Sequence, residues 1–515
     1  MGALASIGLG FETALQPYNL LFTGLGVILG LVIGVLPGLG GTAGVAILLP
    51  ITIFMPPNAA LMFLAGIYWG SAFGGVVTSI LFGIPGEPWS VATMFDGYPL
   101  TRQGRGGMAL TAAFLVSLFS AILSAALFTF LAQPFAGMAL KFGAPELFAV
   151  LLITFGTFIG MGGKSPFRTL IMMALGFLMA SVGLDIVTGQ PRLTFGSVTL
   201  LEGIDFVPVT IGLFGIGEIL ASATEQGDGS TQKAASRLGL ADVVESLRSI
   251  GRNWLLAVWS SLLGFWVGIL PGLGATPASF MAYGLARKTA RNQEEFGRGA
   301  IQGVLAPESA NKSAAIGSIL PMITLGVPGS PTAAVIMAGL YTWGLLPGPT
   351  LFEQKPDLVW GFIASLYVAN AFAFLVCLFA TPALTAIMRV PYALLTPMIV
   401  IFSMLGAYAI SNSLFHVWLV LLFGVVGFVL RRLGYPVAPL VVALVLGAPT
   451  ETALRQTLIL GNGSPAILFA RPLAAPLTVI GLALFLLPAV QALVRLGRRG
   501  PGRGESRSEV VARAG

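Results

Sequence analysis

The chain is built from long runs that carry no charge. Residues 19–36, 59–82, 108–131 and 358–380 contain no Asp, Glu, Lys or Arg. Each run is close to the roughly 20 residues that an α-helix needs to cross a bilayer. Of 515 residues, only 9% are charged and 56% are apolar. Soluble domains carry about 25% charge, because their exteriors face water. A cytosolic enzyme and a secreted domain are therefore excluded. The expected fold is an all-α polytopic membrane protein with roughly 12–15 membrane segments.

A single cysteine, Cys377, excludes a disulfide within the chain, and a single histidine, His416, excludes a multi-histidine metal centre. No cofactor is expected. The net charge of +7 is spread over short loops and the C-terminal stretch. That is the pattern of orientation signals, not of a nucleic-acid surface. No Lys or Arg precedes Arg102. A cleavable signal needs a positive start, so the first run reads as a retained span and the N-terminus is expected outside the cytoplasm.

Further spans are expected near 146–161, 169–184, 206–221, 253–270, 392–410, 414–430, 437–446 and 473–494. Residues 224–252 differ: four acids and four bases mix with Gly, Ser and Gln. They read as a solvated linker with one surface helix near 241–250. The expected organisation is a first membrane repeat over 1–222, a cytoplasmic linker over 223–252, a second membrane repeat over 253–494 and a basic cytoplasmic tail over 495–515.

The repeat rests on two signatures in the same order. Gly34-Val35-Leu36-Pro37-Gly38-Leu39-Gly40 matches Gly268-Ile269-Leu270-Pro271-Gly272-Leu273-Gly274 with one Val/Ile change. Ile84-Pro85-Gly86-Glu87-Pro88 pairs with Val327-Pro328-Gly329-Ser330-Pro331. In the first half the basic loop follows the second signature, at Arg102 and Arg105. In the second half it lies between the signatures, at Arg287–Arg298. If basic loops face the cytoplasm, the halves are inverted-topology repeats. An odd number of crossings then separates Gly2, outside, from Ser230 and Lys233, in the cytoplasm.

Proline removes a backbone donor and glycine tolerates helix-ending conformations. Unwound backbone survives at membrane depth only where it is buried or lines a wet cavity. A helix that restarts after such a break offers free N–H groups and a positive dipole end. The expected ligand is an anion, with Gly38, Gly40, Gly41, Thr42, Gly272, Gly274, Ala275 and Thr276 at the two breaks and Ser330 nearby. Unwound carbonyls could bind Na⁺. The bland alternative is that the Pro-Gly pairs only turn helical hairpins.

Glu308 and Lys312 are spaced i, i+4, acid first, the favourable order for a helical ion pair. Intramembrane charges are functional candidates by default; alternatively, Pro307 marks a loop edge and both groups are solvated. Glu308, Ser309 and Asn311 are candidates for ion coupling, and Lys312 for substrate contact or for pairing with Glu308. Asp96, in Asp96-Gly97-Tyr98-Pro99, reads as a turn former at the cytoplasmic surface. Lys141, Lys164 and Arg168 read as interface anchors, and His416 as a packed, hydrogen-bonded residue.

At these residues the chain resembles the large membrane subunit of tripartite tricarboxylate transporters, over almost its whole length. The resemblance is carried by the paired Leu-Pro-Gly-Leu-Gly motifs and by Ile84-Pro85-Gly86 followed by Asp96-Gly97-Tyr98-Pro99. Ala306-Pro307-Glu308-Ser309-Ala310-Asn311 and Leu325-Gly326-Val327-Pro328-Gly329-Ser330 complete it. It implies a secondary importer of carboxylates in the bacterial inner membrane, driven by a Na⁺ or H⁺ gradient. It also implies two partners, a small four-helix membrane subunit and a periplasmic solute-binding protein. The family pattern has a second asparagine after Asn311, where this chain has Lys312. A passive anion channel of the same architecture, or an intramembrane enzyme, would be the other classes; the sequence holds no Walker-type loop and no zinc or Ser-Lys catalytic pattern.

Overall fold

A computed structural model describes residues 3–36, 39–160, 166–185, 188–224, 239–387 and 392–498. Gly2, Pro37, Gly38, Lys164, Ser230 and Lys233 lie outside the described residues.

The described chain is almost wholly helical. The first half runs through α1 (Ala3–Ala14), α2 (Pro17–Val35), α3 (Gly40–Leu48) with a 3₁₀ extension Leu49–Phe54, and α4 (Pro57–Phe82). It continues through α5 (Ser90–Arg102), α6 (Gly106–Ala139), α7 (Ala144–Gly160) and α8 (Pro166–Ala180). A small hairpin pairs β1 (Gly183–Leu184) antiparallel with β2 (Pro191–Arg192). Then come α9 (Phe206–Thr210), a π-helical stretch Ile211–Ile216 and α10 (Gly217–Thr224).

The second half holds α11 (Leu240–Arg252), α12 (Trp254–Ile269), α13 (Ala275–Thr289), α14 (Gln302–Gly317), α15 (Ile319–Leu325) and α16 (Pro331–Thr342). It ends with α17 (Pro349–Gln354), α18 (Pro356–Ile387), α19 (Tyr392–Ser411), α20 (Leu414–Arg432), α21 (Ala438–Leu460), α22 (Ile467–Ala470) and α23 (Ala474–Arg498). Among the described residues six helices are long and apolar enough to cross a bilayer, and eight shorter helices are also apolar. The chain is a multi-pass membrane protein.

Small residues set the helix packing. A methyl group added at Gly26, Gly30 or Gly34 of α2 would meet the Phe63, Ile67 or Ser71 carbonyl oxygen of α4 at 2.3, 2.3 and 2.1 Å. On α12, a methyl at Gly264 or Gly268 would meet the Ala310 or Ala314 oxygen of α14 at 2.2 Å each. Helices without Cβ atoms at the contact approach backbone to backbone, which is how membrane helices gain packing energy without a hydrophobic drive. The second signatures tuck in the same way. A methyl at Gly86 would lie 2.7 Å from the Gly34 oxygen, and one at Gly329 2.8 Å from the Gly268 oxygen. The segments around the two breaks therefore pack alike, with residues 66–88 aligned without a gap on 309–331.

Several elements differ from the sequence reading. The 90–102 stretch is a helix, not a surface loop. Asp96 on it is fully buried, because its carboxylate finds enough donors: Oδ1 accepts from Gly297, Gly299 and Ala300 N–H at 2.8, 2.9 and 2.9 Å, and Oδ2 from the Tyr283 hydroxyl at 2.9 Å. The 169–184 span ends at Ala180, where the hairpin begins. The span placed at 437–446 runs on to Leu460, and the last helix reaches Arg498, inside the expected tail. Helices α1 and α16 had no counterpart in the sequence reading.

The linker helix is confirmed as α11, which lies on α6 through Ser246 Oγ donating to the Met108 carbonyl at 2.9 Å and an Arg105–Glu245 ion pair at 2.7 Å. Arg168 does more than face an interface: it donates to the Leu433 and Gly434 carbonyls at the end of α20, at 2.8 and 3.1 Å. His416 Nε2 lies 3.9 Å from Asp205.

Candidate functional site

Both helix breaks end in a new helix whose first turn no side chain of its own segment caps. Gly40, with φ +56°, starts α3, and Gly274, with φ +64° and ψ −164°, precedes α13. The latter conformation is open essentially to glycine alone. The second break is braced by Gly272 N–H donating to the Gly329 carbonyl at 3.1 Å.

A cavity of about 240 Å³ joins the two halves. Gly272, Gly274, Ala275, Thr276 and Ser330 line it from the second half, and Thr42, Tyr68, Glu87 and Trp89 from the first. The Thr42 and Thr332 hydroxyls meet at 2.7 Å across the seam. The Tyr68 hydroxyl sits among those of Ser318, Ser330 and Thr332. Among the described residues no Lys or Arg side chain lines the cavity. An anion there would be held by helix N-termini and hydroxyls. The volume falls below the roughly 300–1,000 Å³ of drug-sized pockets, which suits a small organic anion.

The two N-termini are not equivalent. At α3 the position for an anion is taken: Gly41 N–H donates to Glu87 Oε1, from a carboxylate that is 4% exposed. A methyl at Gly40 would meet Glu87 Oε2 at 2.9 Å. At α13 the aligned residue is Ser330, whose hydroxyl accepts from Ala333 N–H at 3.2 Å and caps α16. A methyl at Gly274 meets nothing closer than Ser330 Cβ, at 3.6 Å. So Gly40 and Gly41 face a built-in carboxylate, whereas Gly274, Ala275 and Thr276 face open cavity.

Glu308, Ser309, Asn311 and Lys312 do not line this cavity. They lie on α14, fully buried, which removes the solvated-edge alternative. Glu308 accepts from the Thr93 hydroxyl at 2.6 Å and the Ser117 hydroxyl at 3.3 Å. The expected Glu308–Lys312 ion pair does not form. The Lys312 ammonium has no hydrogen-bond partner and lies over the Phe73 ring, 3.9 Å from its centroid. A cation over an aromatic face is worth about 2 kcal/mol when desolvated, and Glu308 is already satisfied by hydroxyls. Ser309 Oγ is also buried without a partner.

Sequence reasoning passed over Glu87 and Tyr68. Glu87 had a visible signal: it is the only charged residue between Glu12 and Asp96. Tyr68 had none, since aromatic residues in apolar helices are common.

The sequence profile of the tripartite tricarboxylate transporter TctA family matches residues 20–442. The chain belongs to this family. Among relatives, it is 39% identical over 496 residues to an uncharacterized 52.8 kDa protein in the TAR-I ttuC' 3' region of Agrobacterium vitis, covering 96% of this chain and 98% of the relative. It is 38% identical over 232 residues to an uncharacterized protein in the TAR-II ttuC' 3' region of the same organism, covering 44% of this chain and 96% of that relative. No solved structure matches the chain. As a TctA-family protein the chain is a tricarboxylate transporter component, and the family's tripartite organisation implies partner subunits.

Proposed function

We propose that this chain is the transport subunit of a secondary carboxylate importer in the bacterial inner membrane. It works with a small four-helix membrane subunit and takes substrate from a periplasmic solute-binding protein. An ion gradient drives uptake. The observation that carries this reading is the cavity at the seam, where the open N-terminus of α13 faces Thr42 and Ser330. A substrate carboxylate fits there because it meets N–H groups and a positive dipole end. The matched halves and the placement of basic loops support an inverted-topology pair, the architecture in which a midplane site is exposed alternately to each side. Glu308, Ser309 and Asn311, the residues that the sequence pointed to for ion coupling, lie deep in α14 outside this cavity.

Reconstituting the three subunits and offering labelled acetate, succinate, malate and citrate tests the reading. Uphill accumulation under an ion gradient is expected; flux that only follows the substrate gradient would make the protein a channel. Gly274→Leu should abolish uptake, since it fills the open end of α13. Normal uptake by this variant, with folding intact, would remove α13 from the site.

A further inference from the structure

The cavity has a carboxylate of its own. Glu87 is buried at its wall, and its charge is met by α3 through Gly41 N–H and by the Ser71 hydroxyl beside it. The other titratable and charged groups facing it are Tyr68 on α4, Lys312 on α14 and Glu218 on α10. Glu218 is paired with Arg431, so its own charge is met there. Elsewhere in the interior, Glu146 has Arg471, Asp185 has Arg192 and Arg455, and Asp96 has four donors. Among the described residues that leaves two buried acids, Glu87 and Glu308, and one buried base, Lys312, with no ion pair among them.

An anion bound at α13 would share the cavity with the Glu87 carboxylate. Two like charges in a site of low dielectric, with no Lys or Arg side chain among the described residues that line it, cannot both stay ionised at modest cost. Something positive must enter with the anion. A metal ion would need several oxygen ligands around Glu87. The carboxylate instead sits close against Gly40 and Gly41, and Oε1 accepts an N–H. A proton on Oε2 needs no such room.

We propose that Glu87 is the proton-coupling residue of this transporter. It takes a proton from solvent when a substrate carboxylate enters the cavity, and releases it when the substrate leaves. This rests on the transport reading above and names its coupling ion. The proton also changes the fold locally. Gly41 N–H then donates to a neutral carboxyl, a bond roughly half as strong as one to a carboxylate. The hold of Glu87 on α3 weakens, and α3 carries Thr42, which touches Thr332 across the seam. Substrate, proton and seam are thereby linked through one helix.

The test uses the complete reconstituted complex with labelled citrate and succinate. An inward proton gradient should drive accumulation by the unmodified protein, and a Na⁺ gradient alone should not. Glu87→Gln keeps the shape and the Gly41 hydrogen bond. It should lose gradient-driven accumulation while exchange of labelled for unlabelled substrate persists at a measurable rate. Accumulation by Glu87→Gln under the proton gradient would overturn the proposal. So would a folded Glu87→Gln that has lost exchange as well, and so would Na⁺ drive in the unmodified protein. Should the variant not fold, proton uptake on substrate binding decides, measured with a pH indicator in weak buffer where the free anion is fully ionised. About one proton per bound anion is expected from a single titrating carboxyl, and none would refute it. Absence of exchange in the unmodified complex would instead refute the transport reading itself.

Discussion

The two helix breaks share a sequence motif and a way of packing, and differ in the side chain beside the new helix: Glu87 at the first, Ser330 at the second. In both, a glycine-faced helix packs on its neighbour, a left-handed glycine follows (Gly83 at the end of α4, Gly326 at the end of α15, the short helix after α14), and a Pro-Gly step returns the chain to the break. Where the first half then places Glu87, the second places Ser330. The first break is closed by its own carboxylate, and the second opens on the cavity. Charge inside the helices is distributed the opposite way. Ala65 and Trp69 of α4 occupy the places that Glu308 and Lys312 hold on α14. Two similarly packed segments thus carry one charge in a break and a separated pair in a helix.

The shared part of the comparison predicts the largest effect. Gly34→Ala and Gly268→Ala should each destabilise the fold by about 3 kcal/mol, because the new methyl has only backbone to push against. Thermal unfolding in detergent checks this, and a clear difference between the two would break the structural equivalence of the halves. Next comes the pair on α14. Glu308→Gln and Lys312→Met should be coupled by about 1–2 kcal/mol, less than the 3–5 kcal/mol lost when a contacting buried pair is broken. A double-mutant cycle measures that figure, and a value near the upper range would mean that the two groups touch.

Ser330→Glu would make the second break resemble the first. A carboxylate at the α13 N-terminus should compete with substrate and weaken its binding about tenfold, or 1.4 kcal/mol. Ser330→Ala is the control, because losing the α16 cap alone costs about 1 kcal/mol of stability. The smallest effect is expected at the seam, where Thr42→Val and Thr332→Val each remove one hydrogen bond worth about 1 kcal/mol. The double variant should cost little more than either single, since both lose the same contact.

The fold class was legible in the sequence because it depends on a local rule, charge-free runs of span length. The two helix breaks were legible as well, because Pro-Gly steps disfavour a helix interior. What escaped notice depended on distance along the chain. Asp96 looks like a turn former until donors from Gly297, Gly299 and Ala300, two hundred residues away, are brought to it. Glu308 and Lys312 look like a helical pair until Thr93, Ser117 and Phe73 arrive as better partners. The spacing rule for helical pairs describes exposed faces in water, and here every face of the helix is occupied by another part of the protein.

The Asp96 contact bears on how the two halves can move. It ties α5 of the first half to the 297–300 turn and to Tyr283 of the second through four hydrogen bonds on one carboxylate. Bonds to a charged acceptor are worth about 1.5–3 kcal/mol each, so prising the halves apart at this point is far costlier than parting the Thr42–Thr332 hydroxyl pair. The halves are bolted together at Asp96 and joined at the cavity by neutral hydroxyls.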